Sequence, residues 1–245
     1  RKFSYTDIVS FANKKGITLS KNDKSKNSTP QETVKDITNL ALKHNYQLVE
    51  KTLIELYLGG VTLASLMDNY IEPVLVSIQN NLDNNNISVA EEHIARKIVS
   101  KGLNQFKLSV VNTKKYNGKN ILGLNLENDI PDLPIDMIHI LLEDVGYRFH
   151  NCGSHTSITD IKTLLNKNSY FAIFIYLCDR QCCTSTLIDH IDKTNKDLKE
   201  ISILAEKHDI KLFLGGPSFD NIDKEILKHF NKFTKYSESL LLDKV

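Results

Sequence analysis

The chain is 245 residues long, 25% charged and 41% hydrophobic, and its 31 basic and 30 acidic residues leave a net charge of +1. That length holds one or two domains with real cores, and the composition is that of an ordinary globular protein. No apolar run approaches the roughly 18 residues of a membrane-crossing helix, and the near-neutral balance argues neither for nor against nucleic acid. No secretory signal is visible, so a cytoplasmic location is the default and no membrane partner is expected. The chain opens at Arg1 and not at Met, so a preceding segment is expected.

The first residues, Arg1 to Phe11, read as a basic strand end followed by a short helix with Ile8, Phe11 and Ala12 on its apolar side, ending near Gly16. Residues 20–31 are polar throughout and read as a linker. From Thr29 the pattern is helical. Thr29 is a capping residue, Pro30 stands at the first helical position and Glu32 supplies an acid in the first turn. Helices are predicted near 30–43, 46–58, 62–82 and 88–112, broken at His44-Asn45, at Gly59-Gly60 and in the tract from Asp83 to Asn86. Four helices with short connections make an up-and-down bundle.

From Lys119 the period changes. Strands are predicted at 120–126, 147–151, 170–177 and 210–214, with a further one at 233–236. Helices are predicted at 135–145, 157–167, 185–208 and 221–230. Such alternation implies a doubly wound parallel sheet covered on both faces, and five strands suit a flavodoxin-like order. The fold class is therefore α/β, with a four-helix bundle ahead of a Rossmann-like sheet. The domain plan is an N-terminal arm at 1–19, a linker at 20–31, the bundle at 32–115 and the α/β domain at 116–245.

The turn after the first strand, Glu127 to Pro134, lies where an open α/β sheet binds ligands. It carries acids and prolines, with neither a glycine-rich phosphate cradle nor a histidine. The four cysteines Cys152, Cys178, Cys182 and Cys183 fall within 32 residues, at or beyond the carboxyl ends of the second and third strands, with His150 and His155 flanking Cys152. Thiolates and imidazoles hold zinc, iron or haem, and low-pKa thiols serve as redox sensors. The same cysteines also read as small buried hydrophobes. His139, inside the first sheet helix, reads as a surface residue. There is no nucleophile elbow, P-loop or persuasive carboxylate pair, so no enzyme activity is expected.

Three stretches carry a family resemblance. Val89 to Ala95, containing Glu92-His93, follows Tyr70 to Leu75 at the spacing of the helical cap of cobalamin-binding proteins. Leu212 to Phe219, containing Gly215-Gly216, resembles the strand-to-glycine turn where the cobalamin nucleotide tail is buried. Arg1 to Phe11 resembles the wing and following helix of a MerR or excisionase-type winged helix. Together the chain resembles the MerR-type, cobalamin-dependent, light-responsive repressors. That resemblance implies a DNA-binding transcriptional regulator whose bundle and α/β module form a sensor and oligomerisation unit. Partners would be DNA, met through phosphate by Arg1 and Lys2, and further copies of the chain or another protein. The implied cofactor contacts are Glu92, His93, Asp129, Thr156, Gly215 and Gly216; residues 156–160 also read as an ordinary helix cap.

The chain departs from that pattern. Where the family has its cobalt-ligating histidine, in D-x-H-x-x-G, this sequence has Pro131 within Asp129 to Pro134. Proline has no imidazole. Eleven residues before His93, where the family has tryptophan, stands Leu82, and the next position, a second cobalt-binding histidine in light-responsive members, is Asp83. Cobalamin binding is therefore expected to be weak, altered or lost, with haem or another tetrapyrrole, or no cofactor, as the other outcomes. The alternative functions are a corrinoid carrier for methyl transfer, or a haem, metal or thiol redox sensor. Metal candidates for the last are Cys152, Cys178, Cys182 and His155.

Overall fold

The structure, a computed structural model, describes residues 29–110, 115–127, 129, 133–178 and 188–244, together with Phe11, Lys14 and Lys15. The chain divides into two compact units, residues 1–110 and 111–245.

The first unit is helical. Its elements are α1 (Pro30–Leu42), α2 (Tyr46–Leu58), α3 (Leu63–Leu66), α4 (Glu72–Asp83) and α5 (Val89–Val110). Helix α1 starts on a reciprocal cap: the Glu32 amide donates to the Thr29 hydroxyl (3.3 Å), and the Thr29 amide donates to the Glu32 carboxylate (2.8 Å). This pairing satisfies two amides that a helix start leaves without internal acceptors. The single helix expected over 62–82 is instead interrupted by a π-helical turn, Met67–Ile71. Pro73 follows it. Proline has no amide to donate and its ring crowds the carbonyl four residues back, so the chain widens by one residue ahead of it. The apolar stripes of these helices, among them Ile37, Leu53, Met67, Leu75, Val99, Leu103 and Phe106, are buried.

The second unit alternates strand and helix. It contains β1 (Asn120–Leu124), α6 (Leu133–Asp144), β2 (Arg148–Asn151), α7 (Ile158–Lys167), β3 (Ala172–Tyr176), α8 (Ile191–His208), β4 (Lys211–Gly215), α9 (Lys224–Leu227) and β5 (Asn231–Phe233). The strands pair in parallel in the order β2-β1-β3-β4-β5, the flavodoxin-like order. All residues of β3 are buried, as expected for a central strand covered on both faces. On one face Leu122, Leu124, Ile173, Ile175, Leu212 and Leu214 meet Ile161 and Leu165 of α7 and Leu198 and Ile201 of α8. Side chains alternate along a strand, so Ile121, Gly123, Phe174, Tyr176, Phe213 and Gly215 belong to the other face.

Two expected elements are different. The last strand lies at 231–233, ahead of the expected 233–236, because the Thr234 amide turns away to the Glu238 carboxylate (2.6 Å) and the chain winds into a 3-10 stretch, Tyr236–Lys244. The helix expected over 221–230 shrinks to the single turn of α9, preceded by a 3-10 turn at Pro217–Asn221.

Candidate functional site

The strand order reverses between β1 and β3, and the crevice outside their carboxyl ends is where open α/β sheets bind ligands. Here the crevice is built from two polar side chains that the apolar strand β1 delivers as it ends. Asn125 is fully buried and Asp129 is 2% exposed. The Asn125 side-chain amide donates to the Tyr176 carbonyl (3.0 Å) at the end of β3, and to Asp129 Oδ2 (3.1 Å). The same carboxylate oxygen accepts the Cys178 amide at 3.0 Å. One carboxylate thus ties the turn after β1 to the backbone leaving β3. Charge-assisted bonds of this kind are about twice as strong as neutral ones.

The loop after β2 is joined to the same turn. The Asn125 amide donates to the Gly153 carbonyl (2.9 Å), the Thr156 amide to the Asn125 carbonyl (2.9 Å), and the His155 amide to the Asp129 carbonyl (3.2 Å). The Ser157 hydroxyl then caps α7 by accepting the Asp160 amide at 3.1 Å. On the far side, Lys193 of α8 pairs with both Asp197 (2.7 Å) and Glu127 of the turn. Those two bonds, Asp197 first, raise the lysine pKa.

The third wall comes from the end of β4. Gly216 has φ +101°, a conformation open to glycine and strained for any other residue. A Cβ there would lie 2.1 Å from the Leu177 carbonyl oxygen. This close approach seats Ser218, whose amide donates to that carbonyl at 3.3 Å. Ser218 is fully buried, and among the described residues neither its hydroxyl nor the Asn125 side-chain carbonyl has a hydrogen-bond partner. Buried polar atoms are normally satisfied, so two such atoms at one sheet edge point to a group that would pair with them.

The sequence-derived residues distribute as follows. Asp129, Thr156, Gly215 and Gly216 all stand at this carboxyl edge. Glu92 is 1% exposed and forms an ion pair with Arg96, which also donates to the Leu75 carbonyl and the Gln79 side chain, both at 3.3 Å. It therefore binds α5 to α4 inside the helical unit. His93 is half-exposed, with Nε2 3.8 Å from the Glu92 carboxylate. Asp83 accepts a hydrogen bond from Gln79 at 2.9 Å. His139 stacks on Phe149 (4.9 Å between centroids) and pairs with Glu143 at 2.9 Å. His150 Nδ1 lies 2.8 Å from the Tyr170 hydroxyl.

Cys152 is half-buried and Cys178 buried. Burial, reinforced by the Asp160 charge, pushes the Cys152 thiol up from its ordinary value, opposite to the shift a reactive thiolate requires. Among the described residues no three His, Cys, Asp or Glu side chains lie close enough to hold a metal ion. Cys182, Cys183, Pro131, Arg1 and Lys2 lie outside the described residues. Sequence reasoning missed Asn125, Ser218 and Arg96. A polar residue closing an otherwise apolar strand was the available signal for Asn125. For Ser218 it was the proximity of the two glycines. Arg96 falls one turn after Glu92, the spacing of a helical ion pair.

The fold, a helical unit followed by a flavodoxin-like sheet, is cobalamin-binding-domain-like. Among solved structures the monomethylamine corrinoid protein of Methanosarcina barkeri is similar with TM-score 0.65, at 11% identity, over 89% of this chain and 100% of that one. The methanol:cobalamin methyltransferase complex MtaBC from the same organism gives TM-score 0.39 and 14% identity, over 100% of this chain and 95% of that one. A cobalamin-binding protein from Desulfitobacterium hafniense gives 0.42 and 12%, over 89% and 98%. No protein-family sequence model matches the chain, and no curated protein matches it in sequence. No helix among the described residues is long and apolar enough to cross a membrane.

The crevice offers a mixed fit to a corrinoid. The rim of a corrin ring carries primary amides, which both donate and accept, and the unpartnered Asn125 carbonyl and Ser218 hydroxyl are suitable counterparts. The space on Gly215 is another matter: a Cβ there would lie 2.4 Å from the ring of Phe233, so the protein's own side chain fills it.

Proposed function

We propose that this chain is a corrinoid-binding carrier, holding the ring against the carboxyl edge of its sheet and presenting it to a separate catalytic partner. The observation that supports this reading is the pair of buried polar atoms without a partner among the described residues, Asn125 Oδ1 and Ser218 Oγ, at the carboxyl edge of the sheet in a fold shared with a corrinoid protein. A bound corrinoid would supply a cobalt centre able to accept and release a methyl group. The chain's own part is to orient the ring. Asn125 and Ser218 would bond its amide rim, while Asp129 keeps the crevice rigid through Cys178 and Asn125. Methyl transfer itself would need catalytic residues from the partner, and the chain is proposed to be no enzyme alone.

The test is a titration of the purified chain with cobalamin and with cobinamide, followed by visible absorption and by co-elution on gel filtration. Saturable spectral change with one corrinoid per chain is expected. Absence of both co-elution and spectral change for every corrinoid would refute the reading.

The DNA-binding regulator is placed second. It draws on the resemblance of Arg1 to Phe11 and on DNA and homo-oligomeric partners, for which gel-shift and light-scattering measurements are the direct tests.

A further inference from the structure

One face of the sheet is closed by aromatic side chains where the resemblance places a buried nucleotide tail. Gly215 is paired in register with Phe233 of β5. Its missing side chain leaves a hollow, and ring atoms of Phe233 occupy that hollow, 2.4 Å from where a Cβ would stand. Phe233 does not stand alone. Phe174 of β3 lies 5.7 Å from it between centroids and stacks on Phe213 of β4 at 4.6 Å. Next along the face Tyr176 stacks on Tyr236 at 6.2 Å. All five rings are buried, and Tyr236 is held from behind by the Ser239 hydroxyl on its carbonyl, 2.6 Å. The same device recurs on β1, where the ring of Phe149 covers Gly123, 2.1 Å from its would-be Cβ.

A strand glycine leaves a gap in the face of a sheet, and an aromatic ring from the neighbouring strand can fill it. Once filled to interior density, such a face has no room for a second aromatic heterocycle, because protein interiors hold few voids larger than a water molecule. The ring occupying the hollow of Gly215 is fixed by strand register and lies against Phe174. Admitting a flat heterocycle would require displacing Phe233 from both Gly215 and Phe174.

We infer that this sheet face is closed to a nucleotide base, so that the corrinoid class the unit takes is one bound by its ring alone, with any nucleotide tail left outside. The inference rests on the corrinoid reading for its ligand and on the packed face for its substance. Cobinamide, which lacks the nucleotide, then binds as tightly as complete cobalamin. Phe233 is the residue that sets this indifference.

Two measurements on the full chain test it. In the first, benzimidazole alone, the heterocycle of the tail, is added at millimolar concentration in a thermal melt. Wild type is expected to show no shift in Tm, whereas Phe233→Ala, with an apolar cavity in place of the ring, is expected to gain one, as engineered core cavities do with benzene. If Phe233→Ala does not fold, Phe233→Leu opens a smaller space and is read the same way. A Tm rise in wild type, or none in a folded variant, overturns the inference. In the second, wild type is titrated with cobinamide and cobalamin. Affinities equal within about twofold are expected, and a preference of about tenfold or more for cobalamin overturns it. If neither corrinoid binds, the carrier reading fails, while the benzimidazole melt still decides whether the face is closed.

Discussion

Removing the guanidinium of Arg96 should destabilise the helical unit without touching corrinoid affinity. Glu92 is 1% exposed, and Arg96 is its ion-pair partner. One carboxylate oxygen of Glu92 already lacks a hydrogen bond. Arg96→Leu would leave that carboxylate buried and uncompensated, a situation that costs about 3–5 kcal/mol in other proteins. For a chain of this size about 1 kcal/mol corresponds to roughly 2–4 °C in Tm, so a fall of about 6–20 °C is expected. Glu92→Leu is milder, because the freed guanidinium can swing toward solvent. The double replacement by Leu should return to within about 1.5 kcal/mol of wild type, since apolar groups of similar volume often match a buried ion pair. The assay is chemical denaturation of all four proteins followed by helical circular dichroism, closed as a double-mutant cycle. A cost below about 1 kcal/mol for Arg96→Leu would refute the assignment of Glu92 to a structural pair. So would a tenfold or greater loss of corrinoid affinity in Glu92→Gln at unchanged stability, because it would return the carboxylate to ligand contact.

Four further outcomes are expected. Ser218→Ala removes a buried hydroxyl that has no partner among the described residues, so it should stabilise the free protein by about 1 kcal/mol while weakening corrinoid binding, a divergence readable from melts with and without cobinamide. Asp129→Ala strands the Cys178 and Asn125 donors; about 1–3 kcal/mol of stability should be lost for each unsatisfied donor, and denaturant midpoints measure it. Gly216→Ala combines φ +101° with a Cβ 2.1 Å from the Leu177 carbonyl oxygen, so soluble yield and Tm should both drop sharply. For Cys152 the native thiol pKa is raised, so the native state holds its proton to higher pH than the unfolded chain. Its contribution to stability is full below the unfolded thiol pKa and falls as pH rises past it, above about pH 8.5; native Cys152 should also react slowly with a thiol reagent at neutral pH, which mass mapping of the labelled site would check.

Much of the fold was legible because local chemistry and global packing agree. Thr29, Pro30 and Glu32 announce the start of α1, and that cap forms as read. The change from helical period to alternating strand and helix at Lys119 marks the sheet, and its five strands take the flavodoxin-like order that their number suits. The errors fall where a single residue overrides the run of the local pattern. The π-helical turn before Pro73 interrupts a stripe that reads as one helix. The end of β5 depends on Glu238 capturing the Thr234 amide, a competition that no window on the strand reveals.

The candidate site divides along the same line. Its position at the carboxyl edge followed from the sequence, since the turn after the first strand of an open sheet must lie there. The pairing of Glu92 with Arg96 was implicit in their spacing, yet whether the carboxylate faces a ligand or a neighbouring helix depends on what packs against α5. Gly215 carries the clearest lesson. The sequence by itself determined that a glycine pair ends β4, and hence that a hollow exists on that face of the sheet. Only the tertiary structure decided what fills it, because the register that sets Phe233 opposite Gly215 joins two strands through hydrogen bonds remote in sequence. A glycine states where space is left, and the fold states whose side chain takes it.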